Sequence, residues 1–326
     1  SARELATRVA DFRQRLAGNS ADFKELARDL YDLLLQPAQA ELDGKDAVCI
    51  VPSEGLWELP FQALLSSSNK YVLEDHALFY APSLSVLREM KNKALAQRAR
   101  LKAGSAGTTS SALPRLLAMG NPSLNGQSVS RFSLTRSEMS FDSLPQAEQE
   151  VKAIGEIYGA RASTILIGNA AREETFKAAA SKYPVLHFAA HGVLDDVNPL
   201  YSRLLLATGS ESEDGFLEAR EIMKLDLHAE LAVLSACQTA RGQVGSGEGL
   251  IGMSWALFIA GASTTVASQW KVDSASTARM MIDFHRNLQS EQGPLRSSAA
   301  EALRKAAIKL MADPKYRHPF FWSGFV

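Results

Sequence analysis

The chain has 326 residues, 46% of them hydrophobic and 22% charged, with 35 lysines and arginines against 36 aspartates and glutamates, for a formal net charge of −1. That balance excludes a basic nucleic-acid-binding domain and a polybasic membrane-surface protein, and no apolar run reaches the roughly 20 residues that span a bilayer. Two cysteines, Cys49 and Cys237, are too few and too far apart for a disulfide framework, and a charged amphipathic N-terminus has no signal-peptide core, so a reduced, cytoplasmic protein is expected. The chain begins at Ser1 without a methionine and is expected to be a piece of something longer.

Residues 1 to 40 read as helical, because Leu16, Phe23, Leu26, Leu30 and Leu34 recur at helical spacing with charges between them. Asp43-Gly44 signals a turn before a short strand from Ala47 to Val51, and Tyr71 to Tyr80 predicts a strand or a hairpin. Residues 98 to 113 (RARLKAGSAGTTSSAL) are basic, then small and polar, and are expected to form a flexible loop. Beyond them, predicted strands at 116–120, 163–168, 185–190, 231–236 and 263–270 alternate with predicted helices at 144–158, 171–181, 250–260, 274–288 and 297–311. Strand–helix alternation with apolar strands implies an α/β fold: a mostly parallel sheet with helices on both faces.

Two predicted strands end in residues that carry chemistry. VLHFAAHG ends at His191-Gly192, and LAVLSAC ends at Cys237. In open α/β sheets, ligand crevices form at the carboxyl ends of the strands. If the two strands are neighbours, a thiol and an imidazole share one crevice. A free thiol ionises near pH 8.5, so it gains nucleophilicity when a histidine takes its proton. The plainer readings are a cysteine serving as a small buried hydrophobe and a histidine serving a turn. Cys49, inside VCIVP, keeps the plainer reading. His187 and His191 would lie about 13 Å apart on a strand, too far to share a metal ion easily, and His187 is expected in the core.

GEGLIG (Gly247 to Gly252) matches the G-x-G-x-x-G nucleotide fingerprint. The fingerprint needs its first glycine at a strand end, whereas here Cys237 to Ser246 intervene. Close helix packing or a mobile substrate loop are the other readings of these glycines.

Taken in order, HFAAHG, PLYSRLLLA, LSACQTARG, GEGLIG, AGASTTVASQWKVD and HPFFWSGFV resemble the CHAT family of caspase-like cysteine peptidases, over roughly residues 40 to 326. Family members run on for a few more apolar residues, so the chain is expected to be clipped at Val326. The resemblance implies a three-layer caspase-like fold and a cysteine endopeptidase that uses no metal or organic cofactor. Cys237 would be the nucleophile and His191 the general base, with the oxyanion held by main-chain N–H groups of Gly192 and Cys237. An extended protein substrate would pair along Ser268-Gln269-Trp270. Near the crevice, Asp195, Asp196, Glu248 and Asp273 outnumber the cations Arg203 and Arg241, which favours a basic residue before the scissile bond; Asp273 also suits a helix N-cap.

The linker-like stretch at 98–113 sets the expected division: an N-terminal helical and β-hairpin extension over residues 1–113 packing on a peptidase domain at 114–326. The resemblance further implies an activating sensor domain, such as tetratricopeptide repeats, or a partner protein, in bacterial defence or signalling. The rival readings are an inactive caspase-like scaffold and a nucleotide-binding switch at Gly247–Gly252.

Overall fold

The apolar runs LLAMG, STILIG, VLHFA and LAVL form parallel strands, as near-continuous hydrophobic stretches do when both faces of a sheet are covered. The computed structural model describes residues 1–104, 115–124, 141–195, 197–209, 213–235, 237–238, 248–290 and 298–326. Its helices are α1 (Ala2–Ala17), α2 (Lys24–Leu34), α3 (Gln39–Leu42), α4 (Val72–Asp75), α5 (Leu84–Gly104), α6 (Pro145–Tyr158), α7 (Glu173–Ala179), α8 (Ala219–Ile222), α9 (Glu248–Ala260), α10 (Ser274–Ser290) and α11 (Ala299–Met311). Its strands are β1 (Ala47–Ile50), β2 (Ala77–Tyr80), β3 (Leu116–Pro122), β4 (Ser163–Gly168), β5 (Val185–Ala189), β6 (His191–Val193), β7 (Arg203–Leu205), β8 (Phe216–Glu218), β9 (Leu231–Leu234), β10 (Cys237–Gln238) and β11 (Thr265–Ala267). No described helix is long and apolar enough to cross a membrane.

The chain divides into two compact units, Ser1–Arg88 together with Gln269–Val326, and Glu89–Ser268. This differs from the expected cut at residue 113, because the C-terminal helices belong with the N-terminal segment. In the first unit, Phe12 and Leu16 of α1, Phe23 just before α2 and Leu30 within it are buried. A turn at Gly18-Asn19 interrupts the expected continuous helix, with Asn19 in the left-handed region at φ 53°. β1 and β2 pair in parallel, Ala47 opposite Ala77. They are therefore not a hairpin: a two-residue turn joins only antiparallel strands, and short helices, including α4, fill the crossover here. Residues 98–104, expected in a loop, continue α5, since Ala, Leu, Arg and Lys are strong helix formers whatever their charge; residues 105–113 lie outside the described set.

The second unit holds a parallel sheet in the order β11-β9-β5-β3-β4. Leu117, Met119, Leu186, Phe188, Ala232 and Leu234 turn one face of it toward Phe176 of α7, Ile222 of α8 and Met253 and Leu257 of α9. His187, out of phase with those residues, lies on the other face. There its Nε2–H donates to Glu150 Oε1 of α6 at 2.8 Å, both side chains being buried. Gly120 permits the close seat of α6, because a Cβ there would lie 2.5 Å from Val151 Cγ2 and 2.9 Å from the Ala147 carbonyl oxygen.

β5 and β9 pair in one register, Val185 with Leu231 through Phe188 with Leu234. After a short break both strands resume, and β6 pairs with β10 at the same offset, His191 with Cys237 and Gly192 with Gln238. β6 belongs to a second, four-stranded sheet in the order β10-β6-β7-β8, in which β7 and β8 are antiparallel neighbours. An ion cluster ties this sheet to α7. Lys177 Nζ lies 2.7 Å from Glu173, 2.7 Å from Glu213 and 3.1 Å from Glu221, and Glu173 Oε2 accepts the Gly215 N–H at 2.9 Å. These three carboxylates could in type ligate a cation, but the lysine ammonium already fills their centre. Burial pushes the Glu173 carboxyl up to about 7, with Glu221 and Glu213 adding to the rise and Lys177 opposing it.

Between the ordinary carboxyl value of 4.5 and about 7, folded Glu173 holds a proton that the unfolded chain releases. Its contribution is therefore complete below that window and is lost as pH rises through it. Glu173→Gln should gain stability relative to wild type between pH 5 and pH 8 in urea titrations; a difference that does not change with pH would refute the assignment. Glu150→Leu removes the buried carboxylate that His187 donates to, and should destabilise the chain by about 1–3 kcal/mol, read as a lower urea midpoint with an unchanged slope.

Candidate active site

β6 is three residues long, and its conformation is dictated by what precedes it: Val185–Ala189 is buried throughout and anchors the chain that leads into it. At its first position His191 is 8% exposed. Its Nε2–H donates to the main-chain carbonyl of Asp142 at 2.8 Å, and its ring lies 5.2 Å from that of Phe141, tilted by 55°. A carbonyl can only accept, so this bond places the proton of the neutral ring on Nε2 and leaves Nδ1 as the basic nitrogen.

The ladder makes Cys237 the lateral neighbour of His191, at the ~4.8 Å separation of adjacent strands. Of the residues expected to form the site, His191, Gly192 and Cys237 are thus brought together. Gly192 sits in β6 between Gln238 on one side and Leu204 on the other. The Cys237 and Glu248 side chains, together with Asp196 and Gly247, lie outside the described residues. Gly252 falls within α9, where its backbone meets Pro199: an added Cβ would lie 2.6 Å from Pro199 Cβ, so this glycine serves helix packing.

The expected substrate-pairing segment is placed differently. Ser268, Gln269 and Trp270 follow β11 and are all buried. The Gln269 N–H donates to the Gly324 carbonyl at 2.6 Å, and the Gln269 carbonyl accepts from Arg13 Nη2 at 3.0 Å. Both main-chain groups of Gln269 are therefore used inside the chain, and pairing with an extended peptide is not open at that residue. Trp270 Nε1–H donates to the Phe320 carbonyl at 3.3 Å.

Two of the expected acidic determinants serve the backbone. Asp195 Oδ1 accepts the N–H groups of Val197 at 3.0 Å and Asn198 at 2.8 Å, closing the turn after β6. Asp273 Oδ1 accepts the Ser276 N–H at 2.9 Å and caps α10, as its position before SASTA suggested. Of the cations, Arg203 on β7 pairs with Glu218 of β8 at 3.5 Å; Arg241 lies outside the described residues.

Sequence reasoning missed Asp142 and Asn121. Asp142 contributes a main-chain carbonyl, which no residue type announces. Asn121 accepts the Leu144 N–H at 2.7 Å in the segment that carries Asp142. A signal for it did exist: an asparagine between glycine and proline at a strand end is a turn residue suited to positive φ.

The chain is similar to two mammalian proteins over most of its own length. It is 27% identical over 340 residues to human tetratricopeptide repeat protein 28, a match that takes in 92% of this chain and 13% of that protein. It is 26% identical over 344 residues to mouse tetratricopeptide repeat protein 28, with 91% and 13% covered. The chain thus spans only a small part of the length of these relatives. The CHAT domain family matches residues 24–326, which contain all three described sheets, the paired His191 and Cys237 and the C-terminal helices; the chain belongs to that family.

Proposed function

We propose that the chain is a cysteine endopeptidase domain of caspase-like type that cleaves a protein substrate through Cys237 and His191. The observation that supports this reading best is the shared register: one ladder offset carries through β5–β9 into β6–β10 and makes the two residues neighbours. In the reaction, Nδ1 of His191 takes the thiol proton and the Cys237 sulfur attacks the substrate carbonyl. Main-chain N–H groups of Gly192 and Cys237 receive the negative charge that develops on the carbonyl oxygen. Nδ1 then returns the proton to the departing amine, and water, deprotonated by the same nitrogen, hydrolyses the thioester. The Asp142 carbonyl accepts from Nε2 whether the ring is neutral or charged, so the ring can keep its place through this cycle.

A basic side chain before the scissile bond fits the charges around β6 better than an acidic one. Arg203 is committed to Glu218, while Asp142 is exposed on the segment that contacts His191. Regulation by a tetratricopeptide-repeat segment or a partner protein, in defence or signalling within the cytoplasm, completes the reading; the names of the two relatives support the repeat segment.

Cys237→Ala and His191→Ala should each lower cleavage of a basic-residue peptide pool by about 10²–10⁴-fold without a change in the circular dichroism spectrum; activity that persists in either would refute the assignment. Alkylation by iodoacetamide, followed site by site in mass spectra, tests the pair without a substrate. Cys237 should react near neutral pH in wild type and only at higher pH in His191→Ala. Cys49, whose thiol burial pushes up, is the internal control.

A further inference from the structure

The Nε2–H of His191 is received by a main-chain carbonyl, so the ring is only as well placed as the four residues, 141–144, that bring that carbonyl to it. Phe141 and Asp142 touch His191. Phe141 and Leu124 also pack on Val193, Leu205 and Phe216 of the four-stranded sheet. Leu144 and Pro145 begin α6, and no side chain of that segment caps the helix. The cap comes instead from the end of β3. Asn121 Oδ1 accepts the Leu144 N–H at 2.7 Å and the Ser143 hydroxyl at 3.2 Å. Its Nδ2 donates to Glu148 Oε2, one turn into α6, at 3.2 Å, and Glu148 Oε1 is in turn held by Lys152 at 2.7 Å.

The backbone is shaped to present this amide. Asn121 lies in the left-handed region at φ 45°, and the β3–β4 ladder steps over it, from Gly120 paired with Ile167 to Pro122 paired with Gly168. On the other side of β3, Gly120 pairs with Ala189 of β5, two residues before His191. One side chain thus fastens the segment that orients the imidazole to the strand beside the imidazole's own. Asparagine suits the position because its short amide tolerates positive φ and both accepts and donates.

We infer that Asn121 is a positioning residue for His191: it holds residues 141–144 so that the Asp142 carbonyl receives Nε2–H and thereby sets the tautomer of the neutral ring. The inference rests on the Cys237–His191 reading, and it predicts something that reading alone does not. Loss of the Asn121 amide should disturb the tautomer of His191 without touching His191, Asp142 or Cys237. Misplacing a catalytic group by about 1 Å can cost 10²-fold in rate.

The test uses the whole chain and two variants. Asn121→Gly keeps the left-handed backbone, which glycine adopts readily, and removes both polar contacts. Asn121→Asp keeps the acceptor for the Leu144 N–H; because it would set a second carboxylate against Glu148, it is made together with Glu148→Gln, whose amide can donate back. Long-range ¹H–¹⁵N spectra, assigned with His191→Gln, should show the Nε2–H form of His191 in wild type and in this double variant, and a mixture of tautomers in Asn121→Gly. Cleavage of the basic-residue peptide pool should fall in Asn121→Gly by roughly 10–100-fold, mainly in kcat and with little change in KM, and should recover in the double variant. A wild-type tautomer and pH profile in Asn121→Gly would overturn the inference. Cleavage that survives Cys237→Ala would instead remove the proteolytic reading, while the spectra would still decide whether Asn121 positions the ring.

Discussion

The arrangement depends on the lateral register of two buried parallel strands. Leu186, Phe188, Ala232 and Leu234 point to one side of the β5–β9 pair and enter a single apolar core. A slip of either strand by one residue would send that strand's core side chains to the opposite face, so burial on that face holds the register firmly. His191 and Cys237 lie beyond the core-forming residues, yet they inherit the same offset because the chain resumes pairing after the break. The hydrophobic effect thus brings two residues level with one another on adjacent strands, although neither lies in the core that sets the register.

Register brings residues level but does not orient a ring or set a proton. Those tasks fall to buried polar contacts around the sheet. The His187–Glu150 bond and the bare backbone of Gly120 seat α6 on β3 and β5, Asn121 fastens the start of α6, and the segment before α6 turns the Asp142 carbonyl toward His191. On the other flank, the three glutamates around Lys177 hold the β7–β8 strands that pair with β6. Such bonds add little net stability each, but a buried polar group left unmade is expensive. A slightly different arrangement therefore costs several bonds at once, and specificity of geometry follows.

The parallel sheet was legible because its strands are short apolar runs separated by helices. STILIG and LAVL lie where the residues predict, and α6 and α9 begin within two residues of expectation. The meeting of His191 and Cys237 was legible for the same reason, since they follow two adjacent strands of that sheet, β5 and β9, and β6 and β10 pair at the same offset. The second sheet was not. β6, β7 and β8 have three residues each, too few for alternation to register, and they are stabilised by neighbours distant in sequence. The parallel pairing of β1 and β2 was hidden because it depends on where the intervening helices turn the chain. Residues 98–104 misled because basic charge resembles a linker while alanine, leucine and arginine favour helix.

The acidic residues show a more general limit on reading specificity from charge. Aspartate has a short side chain whose nearest unsatisfied donors are usually backbone N–H groups a few residues on. Asp195 and Asp273 both follow this rule, one closing a turn and the other capping α10. Counting such residues overstates the negative charge available to a ligand, because a carboxylate engaged with its own backbone gives up those bonds before it can bind another cation. Arginine errs in the opposite direction: Arg203 reaches Glu218 across the β7–β8 ladder, so its charge is answered by a residue that sequence distance conceals. What determines charge preference at such an edge is therefore the set of charged groups left over after turns, caps and cross-strand pairs have been satisfied, and Asp142, exposed beside the histidine it orients through its backbone, is in that set.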